Sequence, residues 1–261
     1  MDIEFLLDLW DIFLLVFIRV TGLFVVSPIF GRRNIPVYYK VGFSFLLAVI
    51  LSFSIPVPDL REYSSLLSFI LLVAKEFVIG LTLGFISYLI TTSIYLAGQI
   101  IDMHIGFGMV NVFDPLTNIQ IPVTANFYFI VASLMLLVID GHHLLIYTLC
   151  DSFTLFPIGS KIVIEQSLVD FVVNIFTSIL AISFKIAAPI TCAILITDVA
   201  LGIIAKAVPQ VHVFIVGLPL KILAGFIVMA ITIPAFRSIV HVLMDGMHNE
   251  IINFLRVIRG E

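Results

Sequence analysis

AGQIIDMHIGFGMVNVFDPLTNIQIP, residues 97–122, is the stretch that decides how this chain is read. It lies between two long apolar runs and carries Gly98, Gly106, Gly108, Asp102, Asp114, Pro115 and Pro122, with no lysine or arginine. A solvated loop would hold more charge, and a membrane-spanning helix would not carry that load of glycine and aspartate. The stretch is therefore predicted to be irregular backbone held inside protein, or lining a passage through it. Gly106-Phe107-Gly108-Met109 sets flexible backbone around two bulky apolar side chains. Such a segment closes a pore by packing and moves aside without breaking fixed polar bonds. A plain re-entrant turn between helices fits the same residues.

Outward from there, the rest of the chain reads as apolar scaffold. Of its 261 residues, 61% are hydrophobic and 11% charged, and mean hydropathy is +1.23. A soluble domain is nearer half apolar and a quarter charged, so the class is an α-helical integral membrane protein. No basic run suggests nucleic acid. Cys150 and Cys192 sit in apolar surroundings without CxxC or Cys/His spacing and read as buried thiols. The opening MDIEFLLDLWD is acidic where a secretory signal would be basic, so it reads as a retained helix.

The apolar runs do not fit a bilayer one by one. Residues 5–26 form the first, interrupted by Arg19 and ended by Ser27-Pro28. Arg19 either snorkels to the interface or pairs with a carboxylate of a partner subunit. The loop GRRNIPVYYK is the most basic in the chain and is expected on the cytoplasmic side, with the N-terminus outside. Residues 41–55 are short for a span. Residues 66–96 are too long, so this helix either extends beyond the bilayer or bends at Gly80 or Gly84. Lys75 and Glu76 sit within that run, about 100° apart on a helix, so they face different neighbours. Residues 123–139 form a fourth run. The fifth, residues 171–205, holds Lys185, Asp198 and Pro189 and is predicted to be two helices or one sharply kinked helix. The last, residues 222–233, is expected to stop at Pro234 before an amphipathic, arginine-bearing tail. Six simple crossings would leave that tail outside and make the lysine- and arginine-free 97–122 stretch a cytoplasmic loop. Burial of some helices against other subunits would resolve the conflict.

For chemistry, Asp140-Gly141-His142-His143 is the best candidate, with Asp102 and His104 as possible helpers. Adjacent histidines on a regular helix do not both face one metal, and neither HExxH nor GxSxG occurs. No metal or cofactor is expected. Gly141 reads as a helix turn whose open backbone Asp140 and the histidines bond. Asp102, Asp140, Asp198, Lys75 and Lys185 also allow an ion-coupled secondary transporter, since buried ionisable groups and broken helices mark such folds. No repeated halves support it.

Several motifs resemble the FliR/SctT family of the type III export apparatus. They are SPIFGRRNIP (27–36), KEFVIG (75–80), AGQIIDMHIGFGMVNVFDP (97–115), DGH (140–142), SFTLFPIG (152–159), Leu201-Gly202, Pro209-Gln210 and GLPLK (217–221). Their order and spacing together carry the likeness. His104 and His212 depart from the pattern, which has glutamine and asparagine there. The resemblance implies an all-α fold of helical hairpins with kinked and re-entrant helices inside a helical hetero-oligomer. It implies a non-catalytic subunit of the protein-export gate, in the bacterial inner membrane at the flagellar basal body. Its partners would be FliP and FliQ, FlhB at the cytoplasmic entrance, and exported unfolded proteins. Residues 1–122 and 123–261 would approximate FliP-like and FliQ-like halves of one subunit. The channel plug would lie in Gly106, Phe107, Gly108, Met109, Val110, Asn111, Val112, Phe113, Asp114 and Pro115. Arg19, Lys75, Glu76, Asp102, Asp140, His142, His143, Lys185, Asp198 and Lys221 are expected to be buried polar residues with structural roles.

Overall fold

Long apolar runs satisfy their own backbone only as helices where water is scarce, and the chain folds accordingly. The computed structural model describes residues 3–32, 34–55, 65–107, 122–210 and 212–260. Among the described residues there are seven α-helices and no strand. They are α1 (Ile3–Val26), α2 (Val37–Ser52), α3 (Leu66–Ile105), α4 (Val123–Val138), α5 (Gly141–Leu155), α6 (Gln166–Ala207) and α7 (Val213–Arg259). The result is an all-α membrane protein. Four helices are long and apolar enough to cross a membrane, or five spans if the bent pair α4 and α5 counts as one.

Three helices outrun their sequence-based limits. α3 does not end at residue 96 but continues to Ile105, so the first nine residues of the 97–122 stretch are helical and not irregular. α3 runs through Gly80 and Gly84 as one 40-residue helix, longer than the bilayer core, which is one of the two expected arrangements. α6 passes Pro189 as one 42-residue helix, so of the two expected arrangements the pair of separate helices does not occur. α7 passes Pro219 and Pro234 over 47 residues, so Pro234 does not stop it. Each proline deletes one backbone donor, but in a long apolar helix neighbouring helices and hydroxyl side chains absorb that loss more cheaply than a break would. At 1.5 Å per residue the three helices run about 60, 63 and 70 Å, against a ~30 Å hydrocarbon core.

The chain resolves into two compact units. The first is Met1–Ile90 with Asp140–Ile175 and Met244–Glu261; the second is Thr91–Ile139 with Phe176–Leu243. Each draws on chain from both sides of residue 122.

In the first unit, α1 buries Ile12, Leu15, Val16, Arg19, Val20, Leu23 and Phe24, a stripe at three- and four-residue spacing. Aromatic rings lock α1 to α2: Phe13 meets Phe45 edge-on at 5.2 Å and Phe24 lies 5.4 Å from Phe43. In the second unit, Ile94, Ala97 and Ile101 of α3 are buried, as are Ala125 and Tyr128 of α4 and Ile190 and Ile194 of α6. Ser183 Oγ there donates to the Ser93 carbonyl at 2.9 Å, tying α6 to α3. The apolar stretch of α1 is 44% buried within the chain and that of α7 only 17%, so α7 presents most of its apolar surface outward.

Candidate functional site

The first unit holds a knot of charge around the C-terminal end of α5. Arg19 and Glu76 occupy the middle of the buried stripes of α1 and α3, and both side chains are fully buried. Arg19 Nη2 lies 2.5 Å from Glu76 Oε2, and Nε donates to the same oxygen at 2.6 Å. Arg19 Nη1 donates to the carbonyls of Ser152 at 3.1 Å and Phe156 at 3.0 Å. The guanidinium carbon stands 4.3 Å over the Phe153 ring. Those carbonyls lie at the C-terminal end of α5, where a positive group complements the dipole; the Ser152 carbonyl also accepts from Phe156 N at 3.0 Å. Arg259 Nη1 reaches the Leu155 carbonyl at 3.2 Å, and Lys75 Nζ the Ser160 carbonyl at 2.9 Å. SFTLFPIG and the serine after it are therefore the segment on which three cations converge. Among the described residues, Glu76 Oε1 has no hydrogen-bond partner.

Glycine permits the approach that this pair needs. A Cβ on Gly22 would lie 2.8 Å from the Phe77 carbonyl oxygen, one on Gly84 2.6 Å from that of Leu23, and one on Gly80 would overlap the Arg19 carbonyl. The backbones of α1 and α3 thus touch through a small-residue seam of the kind that packs helices in membranes.

The second unit has its own carboxylate anchor. Asp102, on the penultimate turn of α3, is buried and accepts from the amides of Thr124 at 2.9 Å and Ala125 at 3.2 Å. These are orphan donors of the first turn of α4, and the carboxylate also meets that helix's positive end. A Cβ on Gly98 would overlap the Ala125 backbone, so Gly98 lets the two helices close. α3 then ends with the Gly106 amide donating to the Asp102 carbonyl at 3.2 Å and Gly106 at φ +98°, a conformation that favours glycine. Phe107 follows, its ring 6.4 Å from Phe226. Gly108, Met109, Val110, Asn111, Val112, Phe113, Asp114 and Pro115, expected to be plug residues, lie outside the described residues. Elsewhere in this unit Lys221 pairs with Asp198.

Burial corrects part of the expected set. Arg19, Glu76 and Asp102 are buried, and Lys75, His142, Asp198 and Lys221 are half-buried. Asp140, His143 and Lys185 are exposed on this chain; long or loop-borne polar side chains turn outward unless an acceptor within the fold holds them. Cys192 is exposed and Cys150 half-buried, so the thiols are not both core residues. Asp140 is in the left-handed conformation at φ 58°, and its carboxylate does not cap α5. Its backbone carbonyl serves that turn, accepting from His143 N at 2.9 Å. The rings of His142 and His143 do not diverge but lie 4.1 Å apart.

Sequence reasoning missed Arg259 and the partners of Asp102. Arg259 carried no signal beyond its place in a basic tail. Asp102 was named, but not its partners; the signal was an aspartate 21 residues before a helix start at Val123, which only a close helical hairpin turns into a contact.

An all-helical, membrane-length architecture with a glycine-seamed helix pair fits a membrane subunit of a transport assembly. The model of the bacterial export proteins, family 1, matches residues 10–247, and the chain belongs to that family. The flagellar biosynthetic protein FliR of Bacillus subtilis (strain 168) is 36% identical over 250 residues, spanning 94% of this chain and 96% of its own. FliR of Escherichia coli (strain K12) is 27% identical over 94% of this chain and 91% of its own length. FliR of Aquifex aeolicus (strain VF5) is 28% identical over 88% and 87%.

Proposed function

We propose that this chain is a structural, non-catalytic component of the flagellar protein-export apparatus, building the protein-conducting gate with FliP and FliQ in the bacterial inner membrane. The observation that carries this is end-to-end similarity to flagellar FliR proteins, among them that of Bacillus subtilis over 96% of its length. The exposed apolar length of α6 and α7 supports it, because helices of about 63 and 70 Å exceed what lipid alone can cover. FlhB would meet the assembly at its cytoplasmic entrance, exported polypeptides would be its cargo, and residues 1–122 and 123–261 would play FliP-like and FliQ-like parts. Energy would come from another component, since the sequence has no nucleotide-binding loop.

Copurification tests the assembly. Extracted from membranes of a strain expressing all three proteins, the chain should emerge in one large hetero-oligomer with FliP and FliQ. A stable monodisperse monomer, or a small homo-oligomer with solute-transport activity, would favour the ion-coupled transporter instead. Closure of the channel is assigned to the segment beginning at Gly106. Its apolar, lysine-free composition suits a plug held by packing, at roughly 1.5–3 kcal/mol per bulky side chain buried. Deleting residues 106–112 should leave the complex assembled but conductive to small ions. Unchanged tightness with normal assembly would move closure to another subunit.

A further inference from the structure

The fold leaves one set of metal-binding side chains unspent. Asp140, His142 and His143 each offer a ligand atom, and the three atoms lie within 4.8 Å of one another. They sit at a sharp turn: Asp140 holds the left-handed corner, and His142 and His143 begin the first turn of α5. The Asp140 carboxylate, free of any capping bond, lies 3.5 Å from His143 Nδ1. His142 Nδ1 is buried and has no hydrogen-bond partner among the described residues. On an undistorted helix neighbouring side chains point about 100° apart, yet these two rings stand 4.1 Å apart. Two neighbouring imidazoles beside a carboxylate that does not cap the helix make a compact set of ligand groups.

We propose that Asp140, His142 and His143 form a binding site for a borderline divalent transition-metal ion such as Zn²⁺. Two imidazoles and one carboxylate select zinc-like ions over calcium or magnesium, which prefer all-oxygen sets. The Asp140 and His143 side chains are 72% and 70% exposed, so water completes the coordination and the ion exchanges with solvent. Closed structural zinc sites have four protein ligands; this one has three, and the positive end of α5 opposes a cation there. Its affinity is correspondingly moderate. A bound ion cross-links the turn at Asp140 to the start of α5, stiffening that corner. The site stands independently of the export reading.

The test uses the full-length chain with its accompanying subunits, purified through a tag containing no histidine. Zn²⁺ is titrated against a chromophoric chelator, and Co²⁺ is followed by its visible absorption. One Zn²⁺ per chain, removable by EDTA, is the expected result. H142Q and H143Q should each weaken binding by about tenfold or more, and D140N should weaken it less. Zn²⁺ should raise the Tm of the parent but not of the H142Q/H143Q double variant. H212Q, at an exposed histidine elsewhere in the chain, should leave binding unchanged. Zn²⁺ affinity unaltered in the double variant overturns the site. So does a parent chain whose Co²⁺ spectrum shows no nitrogen ligation, a readout that needs no variant to fold.

Discussion

The α1–α3–α5 knot of the first unit and the α3–α4 junction of the second are built alike up to a point. Both bring helix backbones into contact at glycine, Gly80 in one and Gly98 in the other, and both fasten the contact with a buried carboxylate. The difference is what the carboxylate holds. Glu76 faces Arg19, a side chain 57 positions away, so each member depends on a partner that a mutation removes. Asp102 faces backbone amides of α4, which no side-chain substitution short of proline deletes. A charge pair sealed from water is therefore the fragile fastening, and a helix cap the tolerant one. The knot also satisfies the end of α5, so losing Arg19 would take away the donor that the Phe156 carbonyl has there as well.

The largest expected effect comes from separating the ion pair. E76A leaves the Arg19 guanidinium buried without its countercharge and should cost about 3–5 kcal/mol. It would be read as loss of the chain from membranes or a fall in Tm of the purified complex. The R19M/E76L double variant, apolar on both sides, should recover most of that loss, because two matched apolar groups leave no charge stranded. If E76A is as stable as the parent, the ion pair does not fasten α1 to α3.

Next comes the seam. G80L drives a side chain into the Arg19 backbone, and overpacking of this kind costs about 1–3 kcal/mol or more. Its destabilisation should exceed that of G42L, since Gly42 meets nothing within 4 Å. Equal effects at the two positions would show that backbone contact at Gly80 contributes nothing.

The smallest effect is expected at the junction. D102A forfeits two bonds to the α4 amides and should cost about 0.5–2 kcal/mol, seen as a modest drop in Tm with the complex intact. D102N keeps one acceptor oxygen and should lose less. A D102A penalty matching that of E76A would erase the contrast between the two carboxylates.

Helical spacing made part of the knot legible. The stripe Ile12, Leu15, Val16, Arg19, Val20, Leu23 follows that spacing, and the pattern alone turns Arg19 inward; Glu76 falls likewise between Leu72 and Ile79. The spacing also separates Lys75 from Glu76, and the two do have different partners. Pro234 misled because its penalty is local, whereas the decision to continue a helix is made by everything packed along it. Pro189, Pro219 and Pro234 each remove one donor, which is not enough to end a helix whose exposed break would cost more.

By itself, the sequence determined the class of this protein. Apolar runs of that length and charge content can bury their backbone only as helices in or against a membrane, and periodicity sets which side of each helix turns inward. The tertiary structure alone decided the partners. That Arg19 meets Glu76 and the end of α5, that Asp102 meets the start of α4, and that Asp140 turns its carboxylate toward His143 depend on which helices touch, at what register, and how the chain turns between them. Chain segments dozens of residues apart carry no local record of that register; it is set when glycine seams and apolar faces pack together.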